Sequence, residues 1–362
     1  MSDLATEAGV LEYLSATSWP CSRVERLSGG TGNWTFRAHL VQPYDGSPTI
    51  IVKHAKDYAS FSKDFAFGAD RQHYEAMALE LVRDKLSDDD VTVPSLLLED
   101  EKRRVLLMSD GGIDSIDLKS AILAGRVSIP VAQSIGSNLG KFLARLHTAG
   151  KTSDIAQRFA GNSEALRVST WATYGRLEQV LADAPIQPPL SLTEEQLTVV
   201  RDLVTQRSSE MAAKTPILTM GDFWPGNVVL SFTEGDTRTS AINVIDWELV
   251  KPGLPGLDIG QFCAEIYCLE RMSGSPEAAT ALRQAFLHAY TKHAETSVEL
   301  TRVAAVHVGV HLAVWTMIVW ASFPACRDVV GEGVDILLNA FSGSEDLLRS
   351  SIVAVLLPDS VR

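Results

Sequence analysis

Apolar positions recur at two different periods along this chain, and the change falls near residue 111. After a short helix near residues 6–15, most of the first hundred residues alternate with the period of two that marks half-buried strands. SRVERLSGGTGNWTFRAHLV reads as a strand, a turn opened by Gly29, Gly30 and Gly32, and a second strand. TIIVKHA (49–55), after the YDGSP turn, is a β-branched third strand. VTVPSLLLED and RRVLLMSDGG make a strand pair joined by the charged turn at Asp100 to Arg103. One segment breaks the rhythm. In DFAFGADRQHYEAMALELVRDKL the spacing of Tyr74, Met77, Ala78, Leu81 and Val82 puts them on one face of a helix.

Beyond residue 111 the period lengthens. PVAQSIGSNLGKFLARLHTAG carries Ile135, Leu139, Phe142, Leu143 and Leu146 on one helical stripe. Helical patterns follow at 163–182 and 193–213, a strand-turn-strand piece occupies 217–248, and helices fill most of the rest. The pattern predicts a small β-rich lobe over 1–108 and a larger, mainly helical lobe over 109–362, joined around residues 108–112. Ligands favour the cleft between two such lobes. The run VAAVHVGVHLAVWTMIVWA (303–321) is nearly long enough to span a bilayer. It holds His307 and His311 and lacks basic flanks on one side, so it reads as a buried core helix, and no membrane partner is expected.

Composition narrows the function classes. The chain has 362 residues, 46% of them hydrophobic, enough for two lobes with a sizeable core. A net charge of −13 argues against nucleic acid as a partner, because phosphate backbones want a basic surface. The four cysteines show no metal-ligand spacing and the N-terminus has no signal-peptide pattern, so a reduced cytoplasmic protein is expected.

Several residues carry candidate chemistry. The glycine turn Ser28, Gly29, Gly30, Thr31, Gly32, Asn33 sits between two strands, where its backbone N–H groups would lie over a phosphate. It opens no helix and is followed by no Gly-Lys-Ser/Thr, which excludes a Walker loop and a dinucleotide fingerprint. Lys53 lies in the next apolar strand and Glu75 on the next helix, an order that suits a phosphate-contacting lysine steadied by a helix glutamate. A lysine snorkelling from a strand and a solvent-facing glutamate would give the same letters. TMGDFWPGN places Asp222 and Asn227 on an irregular loop, and the strand INVI ends at Asp246. Magnesium takes oxygen ligands and needs few protein side chains when a nucleotide completes its shell, which suits Asn227 and Asp246. Asp222 is then free to accept the proton of an attacking hydroxyl.

With LSGGTGNWTFR, IIVKH, RQHYEAMAL, LLMSDGG, GKFLARLH, MGDFWPGN, VIDWE and LDIGQF in order, the sequence resembles the aminoglycoside phosphotransferase and choline kinase superfamily, in the style of its fungal small-molecule kinases. The resemblance runs from about residue 24 to about 345. It implies an α+β, bilobal protein-kinase-like fold and an ATP- and Mg2+-dependent kinase acting as a monomer. It implies Asp222 as catalytic base, Asn227 and Asp246 on magnesium, and Lys53 with Glu75 on the nucleotide phosphates. Ser28 to Asn33 would cover those phosphates, and the backbone of Met108, Ser109 and Asp110 would meet adenine. Asp258 would brace the catalytic loop. Where many relatives carry His, this chain has Met220, so the brace is expected from packing. Residues 247–257 leave no room for a peptide-holding activation segment, which favours a small hydroxylated acceptor over a protein. Trp224, Glu248, Glu265, His311, Trp315 and Trp320 are the acceptor candidates, since rings with a carboxylate suit a cationic amine such as 4-hydroxytryptamine. An ordinary buried helix would also show the His311, Trp315 and Trp320 pattern. Aminoglycoside, choline or methylthioribose acceptors remain alternatives, as does a nucleotide-binding scaffold.

Overall fold

The computed structural model describes residues 2–27, 30–86, 90–149, 151, 153–183, 190–213, 215–232 and 239–360. Ser28 and Gly29 lie outside the described residues. Helix α1 (Glu7–Ser15) starts at Thr6, whose hydroxyl accepts the Gly9 N–H. Strands β1 (Cys21–Arg26), β2 (Trp34–Tyr44) and β3 (Ser47–His54) follow. The β2–β3 turn holds Asp45 at φ 49° and Gly46 at φ 79°, left-handed values that match the twist of a tight hairpin. A small hairpin, β4 (Tyr58–Ala59) and β5 (Ser62–Ala66), leads to α2 (Arg71–Lys85), then β6 (Leu96–Asp100) and β7 (Val105–Ser109). The main sheet is five-stranded and antiparallel, in the order β1-β2-β3-β7-β6.

Period two decides what β3 shows to each side. Ile50 and Val52 pack with Val10, Leu14 and Phe36 in a core under α1. Ile51 and Lys53 therefore face the opposite way, into a cleft. The β4–β5 hairpin is absent from the expectation above, because FSKDFAF reads from the sequence as a lead-in to the helix.

The rest of the chain is mainly helical. After β8 (Ile116–Asp117) come α3 (Leu118–Leu123), α4 (Ile129–Ala149), α5 (Ser153–Arg158) and α6 (Ser163–Ser169). A π-helical turn, Thr170–Gly175, separates α6 from α7 (Leu177–Asp183) and breaks the single helix expected over 163–182. The turn sends Trp171 outward, while Tyr174 is buried and its hydroxyl meets His307 Nδ1 at 2.8 Å. Helix α8 (Glu194–Ala212) opens with a capping box of Thr193 and Gln196. Strand β9 (Leu218–Thr219), a 3-10 turn at Pro225–Asn227, β10 (Val228–Phe232), β11 (Thr239–Val244) and β12 (Lys251–Pro252) precede the last helices. These are α9 (Pro255–Met272), α10 (Pro276–His293), α11 (Val298–Val319), α12 (Cys326–Ser342) and α13 (Glu345–Arg349).

Helix α11 is long and apolar enough to cross a membrane, yet most of its side chains are buried in the main core. At its crossing with α12 a Cβ on Gly309 would lie 2.6 Å from the Gly333 carbonyl oxygen, so the two backbones meet closely. Such packing explains the apolar run without a bilayer.

Candidate active site

The geometry of the loop around Asp222 follows from strand register. β10 pairs with β11 so that Val228 stands opposite Val244, and the Ile245 N–H donates to the Asn227 carbonyl at 2.9 Å. The residues just beyond that pair, Asn227 and Asp246, are thereby held at the same end of the hairpin. Asp246 adopts φ 65°, a left-handed value that Asp tolerates at a cost of about 1–2 kcal/mol. One step further, the Trp247 N–H donates to Glu75 Oε1 at 3.3 Å.

Three acidic side chains then converge on one cation. Lys53 is buried and donates to Glu75 Oε2 at 2.6 Å and to Asp246 Oδ1. Burial opposes the charge on Lys53, but Asp246, Glu75 and Glu248 outweigh it and hold the ammonium protonated. Glu75 is pushed up to about 7, by burial first and by its carboxylate neighbours against the pull of Lys53. Oxygens of Glu75, Asp246 and Glu248 lie within 4.8 Å of one another. The Lys53 ammonium and the Arg71 guanidinium on Glu248 together fall one charge short of three carboxylates, and hard oxygen donors suit magnesium. Asn227 and Asp246 fit as its protein ligands, since Asn227 turns its Nδ2 to Asp222 and keeps its carbonyl oxygen for a cation.

Asp222 stands at the turn of the loop, after Gly221 at φ 82°. A Cβ at Gly221 would meet the Leu249 carbonyl at 2.2 Å, so both conformation and space demand glycine. Gln261 Nε2 donates to Asp222 Oδ1 at 2.6 Å, and Asn227 Nδ2 donates to Oδ2 at 3.0 Å. Burial and the Asp246 charge raise the Asp222 carboxyl to about 6, against those two hydrogen bonds. Beneath the loop, Asp258 accepts the Met220 N–H at 2.8 Å and the Gly221 N–H at 2.9 Å. His147 Nε2 lies 3.1 Å from the same carboxylate, and its Nδ1 lies 2.9 Å from the Tyr290 hydroxyl. The Met220 side chain is wholly buried in the core. The loop is thus tied down through its backbone amides to Asp258, with Met220 filling space beside them.

Two cavities meet here, sharing Gly32 and Asp246. The smaller, about 500 Å³, is lined by Gly30, Lys53, Glu75, Met108, Asn227 and Asp246 among others. Its hinge is rigid. Arg37 grips both oxygens of Asp110, Nε to Oδ2 at 2.5 Å and Nη2 to Oδ1 at 3.1 Å, and Thr49 donates to Oδ2 at 2.8 Å. Ser109 is likewise tied, its N–H to the Ser95 carbonyl and its hydroxyl to the Ser95 N–H. The larger cavity, about 1000 Å³, reaches Asp222 and is walled by Phe61, Phe65, Phe67, Trp171 and Trp315. Phe65 bridges β5 to the π-helical turn, with its ring 5.2 Å from that of Trp171.

The acceptor candidates separate. Trp315 lines the larger cavity and donates to Thr173 Oγ1 at 3.4 Å. Trp224 lines the smaller cavity instead, with the Lys119 ammonium 5.5 Å from its ring. Glu265 is buried against His311 Nε2 at 2.9 Å and Trp320 Nε1 at 3.2 Å, and these three are absent from the linings of both cavities. Glu248 lines the larger cavity, but its Oε2 accepts from Asn33 at 2.6 Å and from Arg71 Nε at 2.9 Å. Arg71, fully buried, also reaches the carbonyls of Phe67, Gly68 and Gly32, so it ties the glycine turn to the segment after Asp246.

Sequence reasoning missed Arg71, Trp171, Lys251 and Gln261. Arg71 had a signal, since a cation in the first turn of a helix opposes the helix dipole and implies a tertiary partner. Lys251, between Leu249-Val250 and Pro252-Gly253, is a lone charge in apolar company. Trp171 and Gln261 had none, for each sits in a stretch with ordinary helical spacing.

Known proteins share this architecture. Over 99% of both chains the sequence is 32% identical to the 4-hydroxytryptamine kinase of Psilocybe cyanescens. It is 31% identical to the 4-hydroxytryptamine kinase of Psilocybe cubensis, covering 99% of this chain and 98% of that one. The structure of the GDP complex of wild-type aminoglycoside 2'-phosphotransferase-IIIa superposes with a TM-score of 0.51 at 13% identity, over 92% of this chain and 97% of that one. That likeness establishes the bilobal, kinase-like α+β fold. With residues 6–302 matching the phosphotransferase enzyme family, the chain belongs to that family and is a small-molecule kinase.

Proposed function

We propose that the protein transfers the γ-phosphoryl group of MgATP to a hydroxyl of an aromatic, amine-bearing small molecule of the hydroxytryptamine class. The observation that carries this reading is the position of Asp222 on the wall of the larger cavity, hydrogen-bonded to Asn227 of the smaller one, where two unlike cavities meet at Asp246. On one side lie Lys53, Glu75 and Asp246, suited to a nucleotide; on the other lies an aromatic chamber. The names of the two Psilocybe relatives support the acceptor class.

In this reading Lys53 holds the nucleotide phosphates, and Glu75 keeps its ammonium aimed at them. The glycine turn is carried over the phosphates by its Asn33 anchor to Glu248, and the backbone at Met108 to Asp110 meets the base. Magnesium on Asn227 and Asp246 would neutralise charge on the transferring phosphate. Asp222 accepts the proton of the acceptor hydroxyl as its oxygen bonds to the γ-phosphorus. The bond from that phosphorus to the βγ-bridging oxygen breaks, and ADP leaves. Trp171, Trp315 and the phenylalanines of the β5 region hold the acceptor ring. The division into a nucleotide lobe ending near Met108 and an acceptor lobe after it follows. The enzyme works as a monomer in the cytoplasm, where ATP is abundant.

An ATP-consumption screen over hydroxytryptamines, cholines, aminoglycosides and methylthioribose tests the reading. The expected result is turnover dependent on magnesium and greatest with a hydroxytryptamine. ATP binding without turnover on any of these acceptors would favour a scaffold and sink the proposal.

A further inference from the structure

One charged side chain of the larger cavity has no place in the mechanism above. Lys251 is 5% exposed, yet it lines the chamber that reaches Asp222. Strand pairing puts it there: β12 pairs with β9 so that Lys251 stands opposite Thr219, directly under the catalytic loop. Its Nζ donates to Ser169 Oγ at 2.9 Å and to the Leu249 carbonyl at 3.3 Å. An ammonium has three donors, and among the described residues no carboxylate forms an ion pair with this one. A Cβ built on Gly221 would fall 2.5 Å from Nζ, so the amine rests against the residue immediately before Asp222. Three titratable groups surround it from the neighbouring elements: Asp222 on the loop, Asp258 on α9 and His307 on α11. Asp258 already accepts two backbone amides and lies 3.1 Å from His147 Nε2, and buried His307 is held neutral.

Burying an unpaired cation costs stability, and an apolar side chain of the same length would avoid that cost. A ligand that brings negative charge to Nζ recovers it. We propose that Lys251 is a substrate-binding group of the reaction, donating its remaining N–H to the acceptor oxygen that Asp222 deprotonates. The inference rests on the proposed kinase reading and assigns the oxygen a second contact, opposite the base. As the proton moves to Asp222 and the oxygen turns on the γ-phosphorus, the developing negative charge lies between a carboxylic acid and an ammonium. Burial lowers the Lys251 amine to about 8, against the attraction of Asp258 and Asp222, so the cation is present at neutral pH and is lost just above it.

The test compares the wild type with Lys251→Met and Lys251→Arg, using the best acceptor from the screen. Lys251→Met is expected to lower kcat/KM for the acceptor about tenfold to a hundredfold, as for a lost charged hydrogen bond. Its KM for MgATP stays within about twofold, since the change falls in the other cavity. The wild-type rate is expected to fall as pH rises through about 8, a limb that Lys251→Met lacks and that Lys251→Arg moves upward. The melting temperature of Lys251→Met holds or rises. An unchanged acceptor kcat/KM, or an alkaline limb that survives in Lys251→Met, would overturn the proposal. So would a loss of melting temperature with kinetics restored at low temperature, which marks a structural lysine. A wild type inactive on every acceptor refutes the kinase reading itself. An active wild type with an indifferent Lys251→Met refutes only this inference.

Discussion

The two cavities that share Asp246 are made of opposite materials. The smaller gathers charge: Lys53, Glu75, Asp246 and the Arg37–Asp110 pair, each locked by a partner within the protein. The larger gathers rings, and beside Asp222 and the shared Asp246 its wall carries two carboxylates engaged elsewhere, Glu248 by Arg71 and Asn33 and Asp258 by the loop amides. The difference follows from what each is proposed to bind. A triphosphate has the same charges in every turnover, so fixed charges pre-arranged around it repay their desolvation each time. An organic acceptor offers mostly apolar area and one reactive oxygen, so shape and ring contact do the selecting. The lobes are also joined differently on the two sides. Beside the smaller cavity the linker is pinned by Arg37 and Thr49 on Asp110, while beside the larger one the chain closes through Phe65 against Trp171 and through Arg167 reaching the Ala66 carbonyl at 2.6 Å.

Substitutions should keep the two sides distinct. The largest effect is expected where they meet, with Asp222→Ala, which removes the proposed base: turnover falls by about a thousandfold, within the range for general bases. Binding of MgATP, followed by thermal shift, stays within about twofold, and loss of nucleotide binding would place Asp222 on the nucleotide side instead. Next comes Lys53→Met, which leaves Glu75 and Asp246 without their counter-ion. Its kcat/KM for ATP is expected to drop about a hundredfold and its stability by about 3 kcal/mol, since breaking a buried pair strands a charge. An unaltered acceptor KM in the same variant would keep the cavities separate; a parallel rise would merge them. On the aromatic side, Trp171→Ala should raise the acceptor KM about tenfold, roughly 1.4 kcal/mol of ring contact, with the ATP KM unmoved. The smallest effect is expected beneath both cavities. Met220→Leu keeps volume and leaves its backbone N–H on Asp258, so calorimetry should find a cost below about 1.5 kcal/mol and kinetics little change. A large kinetic loss there would mean that the thioether itself positions the loop.

Legibility differed in the same way between the two sides. The charged cavity is spelled out by short segments in fixed order: the glycine turn, Lys53 in an apolar strand, Glu75 on the next helix, then Asn227 and Asp246. Strand register carries that order into space, because Val228 opposite Val244 leaves few positions for Asn227 and Asp246. The aromatic cavity has no such grammar. Phe65, Trp171 and Trp315 come from a hairpin, a π-helical turn and a helix far apart in sequence, and each sits in a stretch with ordinary spacing. The expectation that Glu265 and His311 would stand in the acceptor pocket shows the hazard. They pair with each other at 2.9 Å inside the core, which satisfies both and removes them from the cavity wall.

The sequence by itself determined the change of period near residue 111, the β-rich and helical halves, and the residue types of the charged site. Those are local properties, since periodicity and turn chemistry act over a few residues. Only the tertiary structure decided which carboxylates remain open to a ligand, that the Met220 segment is held through its amides, and that Lys251 lies under the Asp222 loop with no carboxylate ion-paired to it among the described residues. Each of those depends on what distant segments bring to a buried polar group, and burial makes the presence or absence of a partner the dominant energy.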